Sequence, residues 1–166
     1  MRIIAIDPGN IESAFVIVDV DTYAVIEKGK VKNEELLESI KSLNLTGATD
    51  YLAVEMIASY GMSVGQTIFD TCVWIGRYTE RYDKDVTVLY RKEIKMNLCG
   101  STRAKDSNIR QALIDRFGVV GTKNNQGWFY GFKSDIWSAY AVAVTWLDWK
   151  KGYNNEQKQK ENGGIN

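Results

Sequence analysis

The chain contains no histidine. That absence removes Ser-His-Asp and Cys-His catalysis, histidine-based zinc sites and HNH-type nuclease chemistry as intrinsic activities. An enzyme with this composition must work with carboxylates, lysines, hydroxyls or metal ions. Cysteine is nearly absent: Cys72 and Cys99 are lone thiols without CxxC spacing, expected to be small buried hydrophobes in a reducing compartment. No apolar run approaches the ~20 residues that a membrane-spanning helix needs. The opening Met1-Arg2-Ile3-Ile4-Ala5-Ile6-Asp7 puts a carboxylate where a secretory leader needs an apolar stretch, so a cytoplasmic location and no membrane partner are expected. Net charge is missing too, with 21 basic residues against 21 acidic ones, which at face value argues against a nucleic-acid partner.

What is present is ordinary for a globular chain: 166 residues, 45% hydrophobic and 25% charged, enough for one domain around one core. The charges are unevenly placed. From Arg91 to Lys123 eight Lys or Arg residues (91, 92, 95, 103, 105, 110, 116 and 123) face only Glu93, Asp106 and Asp115. The segment therefore reads as a phosphate-binding face or, more plainly, as a solvated helix surface. From Lys150 onward the chain is Lys, Asn, Gln, Glu and Gly, which predicts a domain over residues 1–149 and a disordered polar tail over 150–166.

The apolar pattern gives the element order βββ-α-β-α-β-α-α. Residues 2–7 form a buried strand stopped by Asp7-Pro8-Gly9, 14–18 a second, and 23–32 a third, making an antiparallel meander. Asn33 suits the N-cap of a helix through about Leu43. Tyr51–Glu55 is a fourth strand and Val86–Tyr90 a fifth. Residues 63–82 read as a helix with one stripe of Val64, Ile68, Cys72, Ile75, Tyr78 and Tyr82, and a second apolar patch of Phe69, Val73 and Gly76. Lys105–Phe117 is an amphipathic helix closed by Gly118, and 118–132 an irregular loop or hairpin. A nearly all-apolar helix over 135–149 completes the domain.

Three acids lie where acids are costly. Asp7 and Glu55 end core strands, and Asp135 opens the apolar final helix. Converging carboxylates repel one another unless something neutralises them, and hard oxygen-seeking cations such as Mg²⁺ or Mn²⁺ do so. Each acid also has a plain structural reading: a turn initiator, a strand-end charge and a helix N-terminal charge, respectively.

The joint pattern resembles the RuvC-type Holliday junction resolvases of the RNase H-like superfamily, phage-type members included. Ile4-Ala5-Ile6-Asp7-Pro8-Gly9 resembles their first motif and Ala53-Val54-Glu55 their second. Lys95 and Lys105 resemble their two functional lysines, and Asp135-Ile136-Trp137-Ser138 their last motif. The match spans roughly residues 2–148. It implies an α/β, RNase H-like fold with a five-stranded mixed sheet and helices on both faces. It implies Mg²⁺ (or Mn²⁺), two ions per site, held by Asp7, Glu55, Asp135 and, weakly, Ser138. It also implies a homodimer that cuts branched DNA, four-way junctions above all, with no small-molecule cofactor, in the host cytoplasm for a phage-encoded chain. Arg91, Lys92, Arg103, Lys105, Arg110, Tyr60 and Met62 are the expected DNA contacts.

The sequence departs from the family in three places. Ser138 replaces an aspartate, Ala58 stands where an aromatic follows the strand-four acid, and the 118–132 loop with Trp128, Phe129 and Tyr130 is longer than usual. That loop's aromatics suit either base stacking or packing over the core. Rival readings are another RNase H-like nuclease acting on flaps or RNA–DNA hybrids, a junction binder weakened by Ser138, and an actin-like phosphate binder. The last needs two domains and a second phosphate loop.

Overall fold

Strand β1 (Arg2–Asp7) is the centre of the molecule because Ile3, Ile4, Ala5 and Ile6 are all fully buried, as a strand covered on both faces requires. The computed structural model describes residues 1–59, 61 and 63–162, the side chains of 153–162 excepted. β1 pairs antiparallel with β2 (Glu12–Asp19), and β2 with β3 (Val25–Lys32). On its other side β1 pairs parallel with β4 (Tyr51–Met56), which pairs parallel with β5 (Asp85–Tyr90). The sheet order is β3-β2-β1-β4-β5, the mixed five-stranded sheet expected.

Alternation along each strand sends side chains to opposite faces and separates two cores. Ile4, Ile6, Leu52 and Val54 meet α1 (Asn33–Thr46) and α2 (Gln66–Arg81) through Leu36, Ile40, Ile75 and Tyr78. Ile3, Ala5, Ala14, Val16 and Ala53 meet α3 (Arg91–Cys99), α4 (Asp106–Phe117) and α5 (Ile136–Asn162). Ala139, Ala141 and Ala143 are fully buried in α5, whose small side chains let its backbone approach the sheet closely.

Four expectations need correction. Residues 91–99 form a helix of their own, α3, built on a capping arrangement in which Glu93 accepts the Tyr90 N–H at 2.7 Å. Asn33 is not a cap; Lys32 occupies that position, and Asn33 is fully buried in hydrogen bonds to the loop after β1. Helix α5 continues past Trp149 to Asn162, since adding good helix formers such as Lys, Gln and Glu to an existing helix avoids the nucleation cost. The tail expected to be disordered therefore opens as helix, while residues 163–166 lie outside the described part. Cys72 and Cys99 are half-buried free thiols and not fully buried ones, Cys99 packing against the edge of the core. The loop aromatics take the second of their two expected roles, packing over the core: Phe129 is fully buried among Phe117, Phe132, Trp137 and Tyr140, and Trp128 stacks on Phe117 at 5.4 Å.

Candidate active site

Register alone brings two of the acids together. Ile6 pairs with Val54, so Asp7 and Glu55 sit one step beyond, side by side at the C-terminal ends of neighbouring parallel strands. Ala5 and Ala53 face α5, and two residues further along the same faces are Asp7 and Glu55. Helix α5 begins over this point, with Asp135 immediately before it and Ser138 one turn in. The four oxygen-bearing side chains of the last, first and second motifs thus approach one another from three elements.

The loop leaving Asp7 is fixed from behind. A Cβ on Gly9 would lie 2.3 Å from the Glu12 carbonyl oxygen, so only glycine allows this close pass of the backbone. The Gly9 N–H donates to Ser13 Oγ at 3.2 Å, and Asn33 Nδ2 donates to the Gly9 carbonyl at 2.9 Å. Ser13 Oγ in turn donates to Asn33 Oδ1 at 2.7 Å and lies 3.2 Å from the Tyr78 hydroxyl. A satisfied buried network of this kind holds one loop conformation.

The electrostatics are frustrated at Asp7. Burial, then the nearby charges of Glu55 and Asp135, push its carboxyl up to about 7, with Arg91 and the Ser138 hydroxyl pulling the other way. Glu55, only 9% exposed, is also raised by burial, which outweighs the Arg91 guanidinium. Arg91 Nη1 donates to Glu55 Oε2 at 3.1 Å and Nη2 to Asp106 Oδ1 at 2.6 Å. Asp135 is held below its ordinary value by Lys30, whose Nζ lies 2.6 Å from Oδ2. Lys30 reaches it because the sheet register lines up Lys30, Ala14 and Asp7 in one row. Two clefts flank the acids and share Asp135. One, of about 470 Å³, runs along Pro8–Glu12 and Lys30; the other, of about 370 Å³, lies between Arg91, Arg110 and Ser138.

The donor set suits a hard divalent cation: every ligating atom is oxygen, and the acids outnumber the cations that face them. As arranged here, no group of three or more acids among the described residues is close enough to hold an ion; Glu55 is paired with Arg91 and Asp135 with Lys30. Of the expected lysines, Lys95 lies near enough to Glu55 to stabilise its charge, whereas Lys105 is exposed at the N-cap of α4 and contacts none of the acids. Arg110 stacks over Trp137 at 4.6 Å beside the smaller cleft, while Arg103 is exposed in the turn before α4. Lys92 lines a different groove with Met96 and Trp149. Arg91, expected as a DNA contact, is paired with Glu55 and Asp106 at the acid site. Tyr60 and Met62 lie outside the described residues. Lys30, which belongs to no motif, and Asp106, which the sequence offers only as a neighbour of Lys105, had no expected role; the strand register and the start of α4 reveal them.

No protein-family model and no curated protein matches the sequence. Solved structures do. Thermus thermophilus RuvC matches with a TM-score of 0.67 at 17% identity, over 92% of this chain and 97% of that one. T. thermophilus RuvC in complex with Holliday junction substrate matches with a TM-score of 0.65 at 15% identity, over 87% and 92%. The chain therefore has an RNase H-like fold. Within that class its fold is that of RuvC. Among the described residues no helix is long and apolar enough to cross a membrane.

Proposed function

We propose that the chain is a divalent-cation-dependent endodeoxyribonuclease that cuts four-way DNA junctions. The observation that carries this reading is the surplus of carboxylate at Asp7, which has no ion pair among the described residues while Glu55 and Asp135 stand beside it. A surplus of buried negative charge destabilises a fold unless an external cation resolves it. Asp7, Glu55 and Asp135 are the residues to hold Mg²⁺ or Mn²⁺, two ions per site, with the Ser138 hydroxyl as a weaker oxygen. Such ions, when bound, supply the Lewis acidity for in-line attack of water on a phosphodiester.

The chain's own side chains do the rest. Asp7 and Glu55, anchored on the sheet, set the point of attack. Lys95 supplies positive charge beside Glu55, and Arg110, Lys105 and Arg103 on the α4 side bind neighbouring phosphates, as Lys92 does further out. Phosphate contacts of this kind position a duplex without reading its sequence. Two copies of the site would cut opposing strands, and an exposed apolar patch on α2 supports pairing. Phe69 and Val73 on α2 are 55% and 62% exposed beside Gly76, so the described residues leave this apolar patch largely uncovered. Sedimentation should show a dimer at tens of micromolar that Phe69→Glu with Val73→Glu converts to monomer.

One observation favours a second reading. Ser138 leaves the site a neutral ligand where a fourth acid would hold cations more firmly, which suits a junction binder of low activity. Cleavage of four-way, three-way, flap and RNA–DNA hybrid substrates in Mg²⁺ and Mn²⁺ separates these readings. Paired nicks in the four-way junction are expected; preferential cutting of flaps or hybrids indicates another RNase H-like nuclease, and tight binding without cutting the weakened binder.

A further inference from the structure

We propose that Arg91 is a displaceable counter-ion of the acid site, exchanged for the divalent cation and then turned onto a phosphate of the bound DNA. The inference rests on the nuclease reading above. Arg91 is the first residue of α3, and its guanidinium spans two unlike carboxylates. One arm donates to Glu55, whose side chain is 12% exposed, and the other to Asp106, whose side chain is 78% exposed. The buried arm occupies a Glu55 oxygen that a cation needs. The outer arm is anchored on an exposed carboxylate at the mouth of the 370 Å³ cleft, where Arg110, Ser107 and Ser134 also lie.

Competition follows from the charges. A guanidinium and a divalent cation compete for the charge of the Glu55 carboxylate, and two positive groups drawn to one carboxylate repel. Loading the site therefore drives the Arg91 fork away from Glu55, while Asp106 keeps it near the cleft. A planar fork suits two oxygens of one phosphate, which a lysine would meet only as a point charge. A structural ion pair would leave its surroundings balanced, whereas this one leaves Asp7 unmatched. Lys30 makes the same kind of contact with Asp135 from the other side, but both partners are about 40% exposed, so its hold is weaker. The consequence is reciprocal linkage: cation binding raises affinity for DNA by releasing Arg91, and DNA raises affinity for the cation.

Calorimetric titration of Mn²⁺ into the full chain without DNA tests the exchange. Arg91→Gln should bind Mn²⁺ about fivefold or more tightly than wild type, within the usual range of site-to-site coupling, and Arg91→Lys should fall between them. Junction affinity supplies a second readout that a merely structural role would not move. Arg91→Gln should lose less junction affinity in EDTA, where Arg91 is engaged with Glu55, than in Ca²⁺, an oxygen-seeking cation, where it should bind about fivefold more weakly than wild type. Unchanged or weaker Mn²⁺ binding by Arg91→Gln, with wild type binding Mn²⁺ and Asp7→Asn failing to, overturns the exchange and leaves the nuclease reading standing. No Mn²⁺ binding by wild type overturns both. Should Arg91→Gln not fold, the Arg91→Lys titration decides by the same signs.

Discussion

Helix α5 has an acid at each end of its buried stretch, and the two ends are balanced in opposite ways. At Asp148 both oxygens are matched: Oδ1 accepts from Tyr23 and Arg116, and Oδ2 from Asn97 and Arg116, at 2.7–2.9 Å. Although burial works against it, these donors hold the carboxyl below the ordinary range. At the other end Asp7, Glu55 and Asp135 face Arg91 and Lys30, and Asp7 is pushed up to about 7. A single acid with donors on both oxygens builds structure. An excess of acids, held rigidly by strand ends and a hydrogen-bonded loop, is a site waiting for charge from outside.

The largest expected effect falls on the unbalanced end. Asp7→Asn and Glu55→Gln should each lower junction cleavage by more than about a thousandfold, several kcal/mol of lost transition-state stabilisation, while junction binding stays within a few-fold of wild type. Gel assays of cutting and binding on the same substrate check this; cutting at near wild-type rate removes that residue from the site.

Breaking the balanced end should do the reverse. Asp148→Ala strands Arg116, Asn97 and the Tyr23 hydroxyl, and should cost about 2–3 kcal/mol of stability with no change in cation affinity. Because the folded carboxyl lies below its unfolded value, its contribution is full above about pH 4 and is lost as pH falls through the lower folded value. Denaturant unfolding across pH 2–7 should show wild type losing that increment in acid and Asp148→Ala not.

Smaller effects come from the supports. Asn33→Ala removes the donor to the Gly9 carbonyl and the acceptor of Ser13, and should cost about 1–2 kcal/mol while slowing cutting more than it weakens binding. Equal losses in rate and affinity would mean that the loop serves stability alone. Lys105→Ala should be mildest, since an exposed lysine contributes one phosphate contact among several. Its rate loss should exceed its affinity loss, read by single-turnover cutting against titration.

How much of this was legible beforehand follows from the same physics. Asp7 and Glu55 stand out jointly and not singly, since each alone has a plain structural reading and only their occurrence with Asp135 in this element order points to a site; parallel pairing of β1 with β4 follows from the family likeness. α3 escaped notice because nine residues with only Ile94 fully buried leave no periodic stripe. Asn33 suited a cap by residue type, yet its side chain was taken by a loop twenty-four residues away in sequence. Lys30 had no signal at all: a lysine on an edge strand ordinarily just discourages pairing with another chain. Its role depends on lying in one row with Ala14 and Asp7, which only the assembled sheet defines.

The claim that Asp7 is held at a loss until a cation arrives is open to one direct measurement: thermal unfolding at pH 8, with and without Mn²⁺, of wild type and Asp7→Asn. A carboxyl raised from 3.8 to about 7 contributes stability that is present below the unfolded value and lost as pH rises through 7. At pH 8 the charge therefore costs the fold at most roughly 4 kcal/mol, less whatever local relaxation recovers. Asp7→Asn should accordingly unfold at a higher temperature than wild type without Mn²⁺, and Mn²⁺ should raise the wild-type midpoint while leaving the variant's nearly unchanged. A variant less stable than wild type, with both responding alike to Mn²⁺, would contradict the account.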